Sequence, residues 1–174
     1  MTHRGDVAGL VLEQFEDDGT FPNSRLPLLL YRAALPEDVV DPEAFERLFE
    51  MNGWPPAWRA SIFTYHHYHS TAHEALGVAS GEARLMLGGP NGREFDVVAG
   101  DAIVIPAGVG HRRLSSSADF LVVGAYPPGQ QMDLLRGGAG DRPRADQNIS
   151  QVPLPRTDPV GGDSGGVVTD WSVP

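Results

Sequence analysis

Apolar and polar positions change texture twice along this chain. Leu26 to Ala34, LPLLLYRAA, is almost unbroken in apolar character and far too short for a bilayer, so it predicts a buried strand. A helix is predicted next. Asp41 can cap it, Pro42 suits its first turn, Glu43 and Glu46 favour its positive end, and Phe45, Leu48 and Phe49 make one apolar stripe. Gly53 and Pro55-Pro56 end it, and Trp54 and Trp58 are expected to pack over one end of the fold.

From Ser61 to Tyr126 the pattern becomes short or alternating apolar runs cut by glycine, with no useful helical period. Strands are predicted near 61–69, 73–80, 83–88, 94–98, 102–106, 111–115 and 119–126, with Gly88-Gly89-Pro90-Asn91-Gly92 and Gly108-Val109-Gly110 as turns. With the 26–34 strand this makes a jelly-roll count, so the expected fold is all-β. Beyond Tyr126 the chain turns Pro/Gly-rich and loses both periods, which predicts an extended arm. Ile149, Val152, Leu154, Val160, Val167, Val168 and Trp171 could anchor that arm on the barrel or on a neighbour. The organisation expected is an N-terminal extension over 1–60, a barrel core over 61–126 and an arm over 127–174.

Composition removes several function classes. The 174 residues fit one domain, and 21 Gly with 15 Pro favour turns and short strands. Net charge is -10 and lysine is absent, so a cationic footprint for nucleic acid or anionic lipid is missing, as is Schiff-base chemistry. Cysteine is absent too, which leaves imidazole and carboxylate as the strong metal ligands. Asp6, Glu13 and Glu16 stand where a secretory signal would be basic and then apolar, so a soluble, cytoplasmic protein is expected and Asn148-Ile149-Ser150 reads as a chance glycosylation match.

The histidines carry the chemistry. Four of six fall between Tyr65 and His73, a fifth is His111, and His3 stands apart. Alternation in a strand puts His67 and His69 on one face and His66 and Tyr68 on the other. Glu74, just past a short turn, can bring a carboxylate beside the two imidazoles. The stretch from Gly100 to His111 reads as turn, apolar strand, Pro106 stop and a glycine reversal that can carry His111 back inside.

Those positions resemble the two motifs of the cupin superfamily. HxH, four residues, Glu, six residues, Gly spans His67 to Gly81; Gly, five residues, Pro, one residue, Gly, two residues, His spans Gly100 to His111; 18 residues lie between. Ser61 and Ser115 depart from a frequent Gly and Asn. The N-terminal extension and proline-rich tail resemble those of uncharacterised bacterial single-domain cupins. The resemblance implies a double-stranded β-helix, or jelly-roll barrel, holding one divalent metal per chain on His67, His69, Glu74 and His111. It assigns no ligand role to His66 or His73.

Three imidazoles and a carboxylate suit Fe, Mn, Ni or Zn with one or two positions open to an oxygen-chelating small molecule. Tyr65, two residues before His67, and Arg113, two after His111, are the candidate catalytic side chains, as acid and as carboxylate clamp. The expectation is a metal-dependent enzyme of dioxygenase, isomerase or decarboxylase type; the alternative is a binding or sensing module without turnover. A homodimer is expected, with the apolar 26–34 strand open to exchange. Gly162-Asp163-Ser164-Gly165-Gly166 matches the nucleophile segment of trypsin-like serine proteases, but the eight residues after it cannot build a specificity pocket, so it reads as a turn.

Overall fold

The apolar 26–34 run becomes an interior strand in the computed structural model, which describes residues 9–171 and so leaves His3 outside. This strand, β2 (Ser24–Tyr31), pairs antiparallel with β1 (Leu10–Phe15) on one side and with β7 (Ala102–Ile105) on the other. Both of its edges are therefore paired within the chain. Sequence reading missed β1 altogether. It also missed β3 (Pro56–Ala60), where the prolines that stop the helix also open an edge strand.

Five further strands complete two antiparallel sheets. They are β4 (Glu74–Ser80), β5 (Glu82–Leu87), β6 (Arg93–Val98), β8 (His111–Ser116) and β9 (Leu121–Ala125). The larger sheet runs β1-β2-β7-β4-β9-β3 and the smaller β6-β5-β8. Leu28, Leu30, Leu76, Val78, Ile103 and Ile105 point between the sheets and meet Leu85 and Leu87. Leu29, Tyr31, Ala75, Val104 and Val123 line the opposite face of the large sheet. Cover on both faces explains why β2 and β7 are apolar without alternation.

That second face is covered by α1 (Pro42–Met51), whose Phe45 and Phe49 are fully buried. Ring approach is close enough that a β-carbon on Gly77 would come within 2.4 Å of the Phe45 ring. Asp41 caps the helix by accepting the Ala44 N–H at 2.7 Å. Asp41→Ala is expected to cost about 1 kcal/mol, read as a lower urea midpoint with an unchanged slope.

The arm is the larger correction. Residues 127–171 are not extended throughout but carry α2 (Arg144–Gln151) and α3 (Gly166–Asp170), and they fold back on their own chain. Val167 and Trp171 are buried in the outer core, whereas Leu154 and Val168 stay exposed. The 61–69 strand is also not formed: His67 and Tyr68 make isolated bridges to His111 and Leu135. No helix among the described residues is long and apolar enough to cross a membrane.

Candidate metal centre

Although 61–73 is not a strand, its bridges preserve the alternation. The His67 N–H donates to the His111 carbonyl at 3.2 Å, and the His111 N–H returns to the His67 carbonyl at 2.9 Å. Tyr68 and Leu135 exchange bonds of 2.9 and 3.0 Å, and the His69 carbonyl accepts the Gly108 N–H at 2.8 Å. His67 and His69 therefore face the space between the sheets, while His66 and Tyr68 turn out against Phe21. Glu74 opens β4 opposite Ile105, and His111 opens β8 opposite Leu87, so both are set by ladder ends.

The three side chains His67, His69 and His111 are buried, with one ligand atom from each lying within 4.8 Å of the others. Glu74 touches two of them, with Oε2 at 3.3 Å from His69 Nε2 and Oε1 at 3.4 Å from His111 Nε2. Every Nδ1 faces a backbone carbonyl: Tyr65 at 3.0 Å from His67, Asp133 at 2.5 Å from His69, and Val109 at 3.0 Å from His111. A carbonyl only accepts, so each Nδ1 carries the hydrogen, and in a neutral ring Nε2 is left as a lone pair. Three lone pairs and a carboxylate then converge in one buried space, which calls for a shared cation. Two atoms bonded to one ion at about 2.1 Å, roughly a right angle or somewhat more apart, stand about 3.0–3.4 Å from each other, so the Glu74 contacts fit a metal. The three imidazoles can thus hold a divalent metal ion.

At His67 the electrostatics favour a neutral ring. Burial, reinforced by the neighbouring His111, pushes the His67 imidazole down to about 3. Burial alone would raise Glu74, but the charge of His69 and the hydrogen bonds from His111 and His69 outweigh it and hold the carboxyl well below its usual range. For His69 burial works downward and the Glu74 carboxylate overrides it, raising the ring.

A cavity of about 240 Å³ opens above these groups, walled by Trp58, Ile62, Phe63, Leu76, Tyr126 and Met132. Its wall was only partly legible in sequence. Trp54 packs as expected, buried and donating to the Thr157 carbonyl at 3.0 Å. Trp58 instead lines the cavity, its Nε1–H donating to the Tyr126 hydroxyl at 2.9 Å. Tyr126 passes its own hydrogen to Glu74 Oε2 at 2.9 Å, and burial followed by the Glu74 charge raises its phenol. A larger surface groove of about 600 Å³ over 127–130 and 151–157 holds none of the four candidate ligands.

Neither of the two expected catalytic side chains lines this cavity. Tyr65 bonds His67 through its carbonyl, and its ring meets the His67 imidazole edge-on at 5.7 Å while lying against Phe63 at 4.9 Å and the Arg136 guanidinium at 3.6 Å. Arg113 is committed to the Ile62 carbonyl at 3.2 Å and Ser116 Oγ at 2.6 Å, so its guanidinium does not line the cavity. His73 accepts the Ala107 N–H at 2.9 Å, packs on Trp171 and is pushed down by burial to about 4, so it braces the Pro106 turn.

Asp133 is the support that sequence reading missed. Its carbonyl orients His69, and its carboxylate binds the Ser70 N–H at 2.6 Å and the Ser70 hydroxyl. No periodic signal surrounds it in the Pro/Gly-rich segment. Tyr126→Phe, which leaves Glu74 without its donor, is expected to weaken metal binding by about tenfold, measured by competition with a chromophoric chelator.

Residues 59–123 match the family described as Cupin domain. Uncharacterised protein YjlB of Bacillus subtilis (strain 168) is 44% identical over 158 residues, covering 90% of this chain and 93% of that protein. Among solved structures, a DUF861 family protein from Thermotoga maritima is similar at 19% identity and TM-score 0.32, over 48% of this chain and 88% of its own. Streptomyces albus HEPD, solved with 2-hydroxyethylphosphonate and Fe(II), is similar at 14% and 0.28, over 75% of this chain and 22% of that one. Bacillus subtilis oxalate decarboxylase, described with Mn(II) centres, is similar at 17% and 0.30, over 64% and 26%.

Proposed function

The chain belongs to the cupin superfamily, and from that membership we propose that it is a metal-dependent enzyme acting on a small oxygen-chelating molecule. The convergence of three Nδ1-anchored imidazoles on one point beside Glu74 carries this reading. His67, His69, His111 and Glu74 would hold the ion, and a bound Fe, Mn, Ni or Zn supplies Lewis acidity toward a carbonyl or enolate oxygen. Trp58, Ile62, Phe63 and Met132 keep water from the bound molecule. Tyr126 fixes the carboxylate of Glu74 while keeping its own proton.

A second reading, a binding or sensing module without turnover, draws support from one observation. Apart from the ligands, the polar groups of the wall are Ser61 and the Trp58–Tyr126 pair, and the Tyr126 proton is already committed to Glu74. Elemental analysis of the full chain, purified without added metal and again after reconstitution, tests what both readings share. About one ion per chain is expected, and a chain that takes up none overturns both. Dioxygen uptake or chelator loss on the reconstituted chain then separates them, because the sensing reading predicts saturable binding with no consumption.

A further inference from the structure

The cavity wall also constrains the charge and shape of what binds. Neutral imidazoles and the Glu74 carboxylate leave a divalent ion with a single unbalanced positive charge. Among the described residues lining the cavity no arginine appears, and Arg113 is bound to Ile62 and Ser116. A second anionic group on the bound molecule would lie against Ile62, Leu76 and Met132 with no cation to pair it and only the Ser61 hydroxyl as an uncommitted donor. The net charge of -10 disfavours polyanions again at long range.

Shape points the same way. The Trp58 indole is locked by its bond to Tyr126 and by Gly124 opposite, where a β-carbon would come within 2.2 Å of the ring. It forms a flat, fixed wall. Phe63 and Met132 line the same cavity and keep 47% and 43% of their surface exposed, apolar area that a bound ring would cover. The cavity of 240 Å³ equals about eight water volumes at ~30 Å³ each, room for one substituted ring.

We propose that the ligand of this centre is a singly ionised oxygen chelator carrying a flat apolar body, and that dianionic chelators are rejected. This rests on the metal-centre reading above, which the metal analysis tests separately. The full chain, loaded with the ion that analysis identifies, is titrated calorimetrically with benzohydroxamate, acetohydroxamate and oxalate. Each affinity is divided by that chelator's affinity for the same free ion.

Benzohydroxamate is expected to bind about tenfold tighter than acetohydroxamate, since both share one metal-binding head and differ in apolar area. Oxalate is expected to fall at least about tenfold below benzohydroxamate, and Met132→Arg, which adds a cation to the wall, to recover most of that deficit. Oxalate equal to or tighter than benzohydroxamate on the metal-loaded wild type overturns this inference and leaves the metal centre standing. Absence of a phenyl preference overturns it as well. A chain that holds no ion overturns the metal-centre reading instead.

Discussion

Replacing His111 with alanine is expected to lower metal affinity by more than about 100-fold while leaving the chain folded. The loss should exceed the ~10–100-fold range typical of an outer partner because a first ligand disappears, leaving His67, His69 and Glu74. The fold should persist because the contacts holding this position are main-chain: His111 and His67 exchange N–H and carbonyl groups, and the strand pairing to Leu87 needs no imidazole. Metal content of the purified variant, read beside its circular dichroism and melting temperature, checks both halves. His73→Ala is the matched control. That ring is as buried but bonds the Ala107 N–H and packs on Trp171, so the variant should melt earlier yet keep its ion. Full metal occupancy in His111→Ala would remove the ring from the centre.

What the sequence disclosed about this centre follows from how local each determinant is. His67 and His69 are related by alternation, which needs only an extended backbone, and so they converge even though the segment is bridged and not a regular strand. Glu74 and His111 sit at ladder ends marked by turn residues, visible as glycine and proline spacing. Tyr126 was invisible because it reaches Glu74 across the sheet, through the pairing of β9 with β4, and no spacing rule relates residues 52 apart. Arg113 shows the opposite failure. Two-residue spacing from His111 suggested a shared face, but a long side chain can be drawn to any acceptor, here the Ile62 carbonyl and Ser116.

The arm misread has a related cause. Gly and Pro density between Tyr126 and Pro174 signals irregular backbone, yet irregular backbone packs well when side chains satisfy it. Asp133 does this for Ser70, and Asn52 does it for Pro159 and Val160 by donating to both carbonyls. α2 and α3 are short, and α3 opens on Gly165-Gly166 with no side-chain cap, so neither stands out from its surroundings in sequence.

The strongest of these arm contacts predicts the largest stability effect: Asp158→Ala is expected to destabilise the chain by about 3–5 kcal/mol, a large share of a typical total of ~5–15 kcal/mol. The Asp158 carboxylate has no solvent exposure and accepts four hydrogens: from the Tyr31 hydroxyl at 2.6 Å, the Val160 and Gly161 N–H groups at 2.8 Å each, and the Val167 N–H at 3.0 Å. Alanine strands all four donors. It also frees the Tyr31 hydroxyl, which accepts the Gly166 N–H at 2.7 Å and so ties α3 to β2. Burial first, then the Asp158 charge, raises the Tyr31 phenol far above its usual range. The bond is therefore complete below the unfolded tyrosine value of about 10 and its stabilisation fades only at higher pH. Urea unfolding at neutral pH, with limited proteolysis of the 159–171 segment, reads the effect. Ser164→Ala in the same loop removes an exposed hydroxyl bonded only to the Gly161 carbonyl and should change stability by less than about 0.5 kcal/mol. An unchanged midpoint in Asp158→Ala would mean that burial of Val167 and Trp171, not the carboxylate, closes the arm on the outer face of the large sheet.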